Sequence, residues 1–321
     1  MQQSLQYIRE QLQDFYPDSE IRSLSYRIVE SVFQAGRQTL LRDKDKQLSA
    51  NDLAQIEKIT EELKKYRPLQ YILGKTEFYG LPFQVNEQVL IPRPETEELV
   101  EWVIEGTRYT VHGTGCIVHR APCKILDMGT GSGCIAIALA KHLPEAEVYA
   151  LDISEKALEV AEENAHLNKV NVRFFQYDIL APLPCTPHRA PCTKYRAPST
   201  EYRVPCPPSS FDIIVSNPPY ITPSERHTMS PNVLAYEPHQ ALFTPEEQPL
   251  LFYERIADFG QLFLKPGGQL FFETNASFGK AVAELLRQKG YEAVEVRRDI
   301  SQKERMVAGK RNFHAIHSVS Q

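Results

Sequence analysis

The residues best suited to chemistry form the segment Asn217-Pro218-Pro219-Tyr220, which follows an apolar run at 211–215. The run predicts a buried strand, and the prolines end it because neither can donate to a sheet ladder. Asn217 offers a side-chain carbonyl, Pro218 a backbone carbonyl and Tyr220 a flat ring. Two acceptors and one ring face suit a planar –NH₂ group. The four residues alone are equally compatible with an ordinary turn at the end of a strand.

A glycine-rich turn upstream predicts a cofactor site. It follows an apolar strand at 124–128, opens a helix and reads Asp127-Met128-Gly129-Thr130-Gly131-Ser132-Gly133. Alternate glycines allow a tight turn and close approach of the backbone to a ligand. The spacing departs from the dinucleotide fingerprint G-x-G-x-x-G, because its third glycine would fall on Cys134 or Ala136. Asp127 would repel a pyrophosphate but suits a cationic amino-acid ligand.

Acidic residues also follow the next two predicted strands, at 147–151 and 172–176. Asp152 lies about 20 residues beyond the glycine-rich turn, where an acid suits a ribose diol. Asp178 lies within reach of an adenine amino group. Three aspartates at consecutive strand ends indicate S-adenosylmethionine. The expected cofactor-binding residues, which include Asn217 on the same rim, are Asp127, Gly129, Thr130, Gly131, Gly133, Asp152, Asp178 and Asn217.

Composition excludes several classes of protein. The chain has 321 residues, a net charge of −5, 42% hydrophobic residues and six cysteines. This charge argues against a strongly basic nucleic-acid binder. The sequence contains no run of roughly 18 apolar residues and no secretory signal. Six cysteines in a chain of this length do not indicate a disulfide scaffold. We therefore expect a cytoplasmic protein that does not enter membranes.

Hydrophobic periodicity changes along the chain. Residues up to about 75 have helical spacing, with Ser49 as the cap of one helix, and predict a small bundle. A short hairpin follows between 76 and 85, and then an apolar run, Val89-Leu90-Ile91. Beyond it, strands alternate with helices and end in strands at 293–296 and 313–317. Such alternation predicts a parallel sheet with helices on both faces.

Two segments, 108–123 and 184–209, break this alternation. His119-Arg120-Ala121-Pro122-Cys123 recurs as His188-Arg189-Ala190-Pro191-Cys192, and two looser copies follow. Their composition cannot form a packed core, so we expect disordered surface insertions. Five cysteines lie in or beside these segments, but no Cys-x-x-Cys pair is present, and we expect no metal site.

Together these motifs resemble the HemK/PrmC family. The matching stretches are Pro68-Leu69-Gln70-Tyr71-Ile72-Leu73-Gly74, Phe78-Tyr79-Gly80-Leu81-Pro82-Phe83, Leu90-Ile91-Pro92-Arg93-Pro94-Glu95-Thr96-Glu97, residues 127–133, residues 217–220 and Glu237-Pro238-His239-Gln240-Ala241-Leu242-Phe243. They cover most of residues 67–317 apart from the two insertions. The Ile-Pro-Arg-Pro-Glu-Thr-Glu segment combined with Asn-Pro-Pro-Tyr is far more specific than either motif alone.

The resemblance implies an α/β fold. This is a class I S-adenosylmethionine-dependent methyltransferase domain, Rossmann-like with a seven-stranded sheet, with an N-terminal helical bundle domain. The implied division is a substrate-recognition domain at 1–75, a β-hairpin linker at 76–94 and the methyltransferase domain at 95–321. Two features depart from the family pattern. The insertions are foreign to it, and no glycine follows soon after Glu273, where the family usually has one.

The resemblance also implies an activity. The family methylates the glutamine side-chain amide in the Gly-Gly-Gln motif of peptide chain release factors, so we expect release factors as partners of a monomeric enzyme. The implied catalytic residues are Asn217, Pro218 and Tyr220, of which the first two receive the glutamine amide and Tyr220 stacks on it. The implied substrate-binding residues are Asn217, Pro218, Pro219, Tyr220, Arg93 and Pro94.

Three alternatives remain open at this point. Glutamine methylation of a ribosomal protein would use the same loop and cofactor site, although the 68–74 segment favours the release-factor enzyme. N6-adenine methylation of nucleic acid would present the same planar amine, but the net charge of −5 argues against it. A non-catalytic protein could keep the pocket, but Asp127, Asp152 and Asn217 are all intact.

Overall fold

The computed structural model describes residues 2–34, 49–111, 122–183, 207 and 209–312. The chain forms two compact units, Met1–Lys75 with Met229–Glu237, and Thr76–Thr228 with Pro238–Gln321. Most of the two repeat-bearing segments lies outside the described residues, as does the strand expected at 313–317. Within the described ranges, no helix is both long and apolar enough to cross a membrane.

The helices and strands follow one another in a regular order. They are α1 (Gln2–Leu12), α2 (Asp18–Phe33), α3 (Ala50–Lys64), α4 (Leu69–Leu73), β1 (Lys75–Phe78), β2 (Leu81–Gln84), α5 (Pro94–Val111), β3 (Lys124–Met128), α6 (Cys134–His142), β4 (Glu147–Asp152), α7 (Glu155–Asn168), β5 (Val172–Gln176), β6 (Phe211–Ser216), a 3₁₀ helix (Pro223–Thr228), α8 (Pro231–Tyr236), α9 (His239–Leu242), α10 (Leu251–Phe263), β7 (Leu264–Glu273), α11 (Gly279–Gln288), β8 (Tyr291–Arg298) and β9 (Glu304–Arg311).

In the part of the first unit that the structure describes, the elements are helices, as the periodicity predicts. Leu12 of α1, Ile28 of α2 and Ile56 of α3 are fully buried in one apolar cluster. Ser49 caps α3: its hydroxyl accepts the N–H of Asp52, and the Asp52 carboxylate accepts the N–H of Ser49. This reciprocal pair satisfies two backbone donors that a helix start would leave without partners.

In the second unit, seven strands among the described residues form one sheet in the order β5-β4-β3-β6-β7-β9-β8. Strands β3 to β7 run parallel, with Asp127 of β3 beside Ala150 of β4 and Val215 of β6. Strand β9 is antiparallel to both β7 and β8, which corrects the expectation of a parallel sheet. The connection at 299–303 is too short for the crossover that a parallel β8–β9 pair would need.

Both faces of this sheet are buried, which explains the nearly continuous apolar runs of its central strands. Ile125 of β3 packs in one cluster with α5 and α6, whereas the next residue, Leu126, packs in another with α10 and α11. Successive side chains of a strand point to opposite faces. The sheet is therefore held rigidly between two helical layers, and its strand ends have fixed positions.

Three details differ from the sequence-based expectations. Strand β9 was missed, because only Met306, Val307 and Ala308 form an apolar run between charged ends. The run at 89–91 is a loop after a turn in which Asn86 Oδ1 accepts the N–H of Gln88 at 2.9 Å. Helix α5 continues to Val111, so the segment expected as an insertion from 108 begins in a helix.

Candidate active site

A cleft of about 400 Å³ opens where the carboxyl ends of the parallel strands meet. This edge is where open α/β sheets place their ligands. Of the residues predicted for the site, those that line the cleft are Arg93, Gly129, Thr130, Gly131, Asp152, Asp178, Asn217 and Pro219. The described lining residues do not include Pro94, Asp127, Gly133, Pro218 or Tyr220.

The glycine-rich turn connects β3 to α6. Gly131 lines the cleft with φ +54°, and a Cβ there would meet no atom within 4 Å. Gly133 has φ +81°, and its Cβ would lie 2.9 Å from Ile137 Cδ1 and 3.0 Å from Ala161 Cβ. Gly131 therefore leaves space toward a ligand, whereas Gly133 allows close packing of α6 against α7.

Asp127 lies buried beneath this turn, not on the cleft wall. Its Oδ2 accepts the Thr130 hydroxyl at 2.6 Å and the N–H of Ala136 at 3.3 Å. Its Oδ1 is buried and has no hydrogen-bond partner in the described part of the chain. Burial raises the pKa of Asp127 to about 7, although these two hydrogen bonds lower it. A cationic group that reached Oδ1 would satisfy this atom.

Asp152 and Asp178 stand at the next two strand ends, as predicted. Asp152 Oδ2 accepts the N–H of Gly131 and its Oδ1 that of Ser154, both at 2.9 Å. Asp178 Oδ1 accepts the N–H of Leu180 at 2.8 Å. Burial raises the pKa of Asp152. Backbone donors thus fix both carboxyl groups at the cleft, and each oxygen keeps a lone pair for a ligand hydroxyl or amino group.

Asn217 follows β6 and is held from behind by α5 and β7. Its Nδ2 donates to Thr96 Oγ1 at 3.2 Å, and the Thr96 hydroxyl donates to Glu273 Oε2 at 2.6 Å. Thr96 and Glu273 are 2% and 1% exposed, so water does not compete for these bonds. The Ser216 hydroxyl donates to the Met128 carbonyl at 2.6 Å and ties the end of β6 to the end of β3.

Tyr220 lies at the other end of the same loop. Its hydroxyl donates to Glu273 Oε1 at 3.3 Å, and its ring packs against the cluster that contains α10 and α11. Burial raises the pKa of Tyr220 above its ordinary range, and the nearby Glu273 acts in the same direction. Tyr220 therefore stays a neutral hydroxyl, and the structure shows it as an anchor of the loop.

Sequence reasoning assigned no role to three parts of this site. Thr96 belongs to the Ile-Pro-Arg-Pro-Glu-Thr-Glu segment and Glu273 ends a later strand, and their contact joins residues 177 positions apart. The segment 238–243 supplies Pro238, Gln240 and Phe243 to the cleft wall, and Phe243 forms an isolated parallel bridge to Ile221. The sequence pattern that could have identified Glu273 is an acidic residue at the end of an apolar strand, the same pattern that identified Asp127.

Among the described residues, no group of three or more His, Cys, Asp or Glu could hold a metal ion. Of the cysteines, Cys123 and Cys134 are described. The other cysteines of the repeats lie outside the described residues.

The fold is that of a known class of enzymes. The catalytic domain of hMettl16, in a structure solved with a MAT2A 3′UTR hairpin, superimposes with a TM-score of 0.50 at 17% identity. The match covers 77% of this chain and 81% of that one. At this identity the likeness shows the fold alone, a methyltransferase domain built on a seven-stranded, mostly parallel sheet.

Family models match both parts of the chain. The model described as a methyltransferase domain matches residues 119–308, and the model described as the PrmC N-terminal domain matches residues 3–74. The second match covers the stretch that the residues alone characterised only as helical.

Full-length relatives carry one name. The release factor glutamine methyltransferase of Flavobacterium psychrophilum is 42% identical over 302 residues, which cover 94% of this chain and 95% of that protein. The proteins of the same name from Bacteroides thetaiotaomicron and Bacillus subtilis are 39% and 37% identical. The first covers 95% of this chain and 98% of its own length, and the second 84% and 85%. With this identity along nearly the whole chain, the protein belongs to the family of release factor glutamine methyltransferases.

Proposed function

We propose that this protein transfers a methyl group from S-adenosylmethionine to the side-chain amide nitrogen of the glutamine in the Gly-Gly-Gln motif of peptide chain release factors. The observation that carries the proposal is Asn217, which lines the cleft while its Nδ2 donates to Thr96. The Asn217 carbonyl oxygen is thereby free to accept an N–H of a substrate amide. A monomeric, cytoplasmic enzyme whose N-terminal domain at 1–75 recognises the release factor belongs to the same proposal.

The residues around the glycine-rich turn fit the cofactor. Asp127 Oδ1, buried without a partner among the described residues, suits an ammonium group. Asp152 suits a ribose diol and Asp178 an adenine amino group. Gly129, Thr130, Gly131 and Asn217 also line this cleft, and Gly133 closes the packing beneath it. S-adenosylmethionine, when bound, supplies an electrophilic methyl group on a sulfonium sulfur.

Asn217 and Pro218 activate the substrate by orienting it. An amide nitrogen is a weak nucleophile because its lone pair is delocalised into the carbonyl. When the Asn217 and Pro218 carbonyl oxygens each accept one N–H, they favour a nitrogen whose lone pair points out of the amide plane. They also stabilise the positive charge that grows on this nitrogen. Orientation of two reactants contributes on the order of 7–11 kcal/mol to a barrier of this kind.

Proton removal needs no strong base in this scheme. The nitrogen–carbon bond forms as the sulfur–carbon bond breaks, and the product nitrogen becomes acidic enough to release its proton to water. Tyr220, Pro219, Arg93 and Pro94 complete the proposed substrate site, and Arg93 and Pro219 contribute to its wall. Tyr220 supports the loop through its hydrogen bond to Glu273.

The test is transfer of labelled methyl from S-adenosylmethionine to a purified release factor. The matched control is the same factor with the Gly-Gly-Gln glutamine changed to alanine. Label on the intact factor alone is the expected result. Label on neither factor, from a preparation that still binds the cofactor, would contradict the proposal and favour the ribosomal-protein or nucleic-acid substrate.

A further inference from the structure

Hydrogen bonds link Glu273 to both ends of the Asn-Pro-Pro-Tyr loop, directly to Tyr220 and through Thr96 to Asn217. Its Oε2 accepts the Thr96 hydroxyl, which in turn accepts Asn217 Nδ2, and its Oε1 accepts the Tyr220 hydroxyl. The side chain is 1% exposed. Glu273 lies on β7 and Thr96 on α5, so elements outside the loop hold both of its ends.

The hydrogen bonds that link Asn217, Thr96 and Glu273 all donate toward Glu273. The Thr96 hydroxyl has a single hydrogen, and at 2.6 Å it is donated to Glu273 Oε2. Charge-assisted bonds of this type are short and strong. Thr96 Oγ1 can therefore act toward Asn217 only as an acceptor. The Asn217 amide must then turn its –NH₂ group, which is the donor, toward Thr96. The carbonyl oxygen and the –NH₂ group of Asn217 are similar in size and differ in that one accepts and the other donates. Because Glu273 accepts the Thr96 hydrogen, it determines that the –NH₂ group faces Thr96.

We propose that Thr96 and Glu273 are positioning residues that hold the Asn217 amide with its carbonyl oxygen toward the substrate –NH₂, an inference that rests on the proposed function. Glu273 is not among the residues that line the cleft, and Thr96 lies at its wall with only 2% of its surface exposed. If the Asn217 amide rotated by half a turn, its –NH₂ would face the –NH₂ of the substrate, and neither could accept. Methyl transfer needs the Asn217 carbonyl oxygen as acceptor. The direction of the two hydrogen bonds Asn217–Thr96–Glu273, which we call the relay, therefore determines whether the loop is active.

Glu273→Gln permits the opposite polarity with almost no change in shape, although its Oε1 can also face Thr96 and keep the wild-type polarity. The Nε2 of a glutamine can donate to Thr96 Oγ1, which releases the Thr96 hydrogen to donate toward Asn217 Oδ1. The rotated Asn217 amide then becomes as stable as the active one. Thr96→Val removes the relay atom and keeps the β-branched shape, whereas Thr96→Ser restores a hydroxyl in the same place.

The experiment measures kcat, the KM for the release factor and the Kd for S-adenosylmethionine in wild type, Glu273→Gln, Thr96→Val and Thr96→Ser. We expect Glu273→Gln and Thr96→Val to lower kcat about 10- to 100-fold, the value of one hydrogen bond to a charged group. Thr96→Ser should recover kcat to within about threefold of wild type, and the Kd should change less than about threefold throughout. Glu284→Gln, on the exposed side of α11, is the matched carboxyl-to-amide control.

A second readout does not depend on the substrate. The side-chain –NH₂ hydrogens of Asn217, identified by the NMR signals that Asn217→Ala removes, should exchange slowly in wild type and at least tenfold faster in Glu273→Gln. Wild type that labels no release factor, with this protection intact, would refute the proposed function and leave the relay standing. Full kcat in Thr96→Val, or unchanged protection of the Asn217 –NH₂ hydrogens in that variant, would overturn the relay.

Discussion

Asp127 and Glu273 are two buried carboxyl groups beneath the same cleft, and their surroundings differ in one respect. Each lies at the carboxyl end of a strand, each is at most 1% exposed, and burial raises the pKa of each to about 7. Both oxygens of Glu273 accept hydroxyl groups, from Thr96 and Tyr220. Asp127 keeps one oxygen without a partner in the part of the chain that the structure describes.

The Asp127 oxygen that lacks a partner among the described residues indicates different roles for Asp127 and Glu273. A buried acceptor that lacks a partner costs free energy, and a ligand donor recovers that cost on binding. Asp127 is therefore suited to attract a cationic ligand. Glu273 is not among the residues that line the cleft, both of its oxygens already accept a hydroxyl group, and its hydrogen bonds lead to the loop that contains Asn217. Asp127 should thus affect cofactor binding, whereas Glu273 should affect turnover.

The largest expected effect follows removal of Asn217, the residue through which Glu273 reaches the substrate. Asn217→Ala deletes the acceptor oxygen and should lower kcat about 100- to 1000-fold, as loss of one preorganised polar group does in other enzymes. The Kd for S-adenosylmethionine should rise less than about threefold. Kinetics with release factor and calorimetric titration of the cofactor measure the two quantities, with the exposed Asn171→Ala as control. Equal losses in both would contradict the role of Asn217.

The next effect should fall on binding. Asp127→Asn keeps an oxygen for Thr130 and Ala136 but removes the negative charge from the buried site. The Kd for S-adenosylmethionine should rise about 10- to 100-fold, the value of a hydrogen bond to a charged group. At saturating cofactor, kcat should stay within about threefold of wild type. Glu273→Gln should instead lower kcat and leave the Kd for S-adenosylmethionine nearly unchanged. If both variants changed the same quantity, Asp127 and Glu273 would not have separate roles.

The strand ends of this site were predictable from sequence, and the contacts between distant segments were not. Apolar runs located β3, β4, β5 and β6, and parallel strands must bring their carboxyl ends to one edge. The sequence alone therefore predicts that Asp152, Asp178 and Asn217 lie together at the cleft. The Thr96–Glu273 contact depends on how α5 crosses the sheet, which no local pattern states. Asp127 is predicted to suit a cationic ligand, but the sequence does not state its depth: its carboxylate lies beneath the cleft wall, where it accepts hydrogen bonds from Thr130 and Ala136.

A smaller effect should appear in the pH dependence of turnover. Desolvation raises the pKa of Glu273 to about 7. The hydrogen bond from Thr96 and the charge of Arg305 lower this pKa, and the charge of Glu95 raises it. The neutral side chains of Tyr220 and Tyr253 complete the surroundings of Glu273. A protonated Glu273 can donate to Thr96 as glutamine would. Between pH 8 and pH 6, kcat at saturating substrates should therefore fall about tenfold as the ionised fraction falls.

Glu273→Gln distinguishes Glu273 from Asp127 as the source of this pH effect. The variant has no carboxyl group at this position, so its kcat should be low and nearly constant over the same interval. Asp127→Asn should keep the fall. If the fall persists in Glu273→Gln instead, the titrating group is a different one, and Asp127 becomes the first alternative.

The smallest expected effect concerns stability of the cofactor-free protein. Each carboxyl group has a folded-state pKa of about 7, above its ordinary values of 3.8 for Asp127 and 4.5 for Glu273. Between pH 4.5 and 7 the folded state keeps protons that the unfolded state has lost, so the free energy of unfolding falls as pH rises through this interval. The melting temperature should therefore drop by several degrees between pH 5 and pH 8. Asp127→Asn and Glu273→Gln should each remove part of the drop. Saturating S-adenosylmethionine should reduce only the part that Asp127 contributes, because a cationic group at Oδ1 stabilises the ionised form of that carboxyl alone.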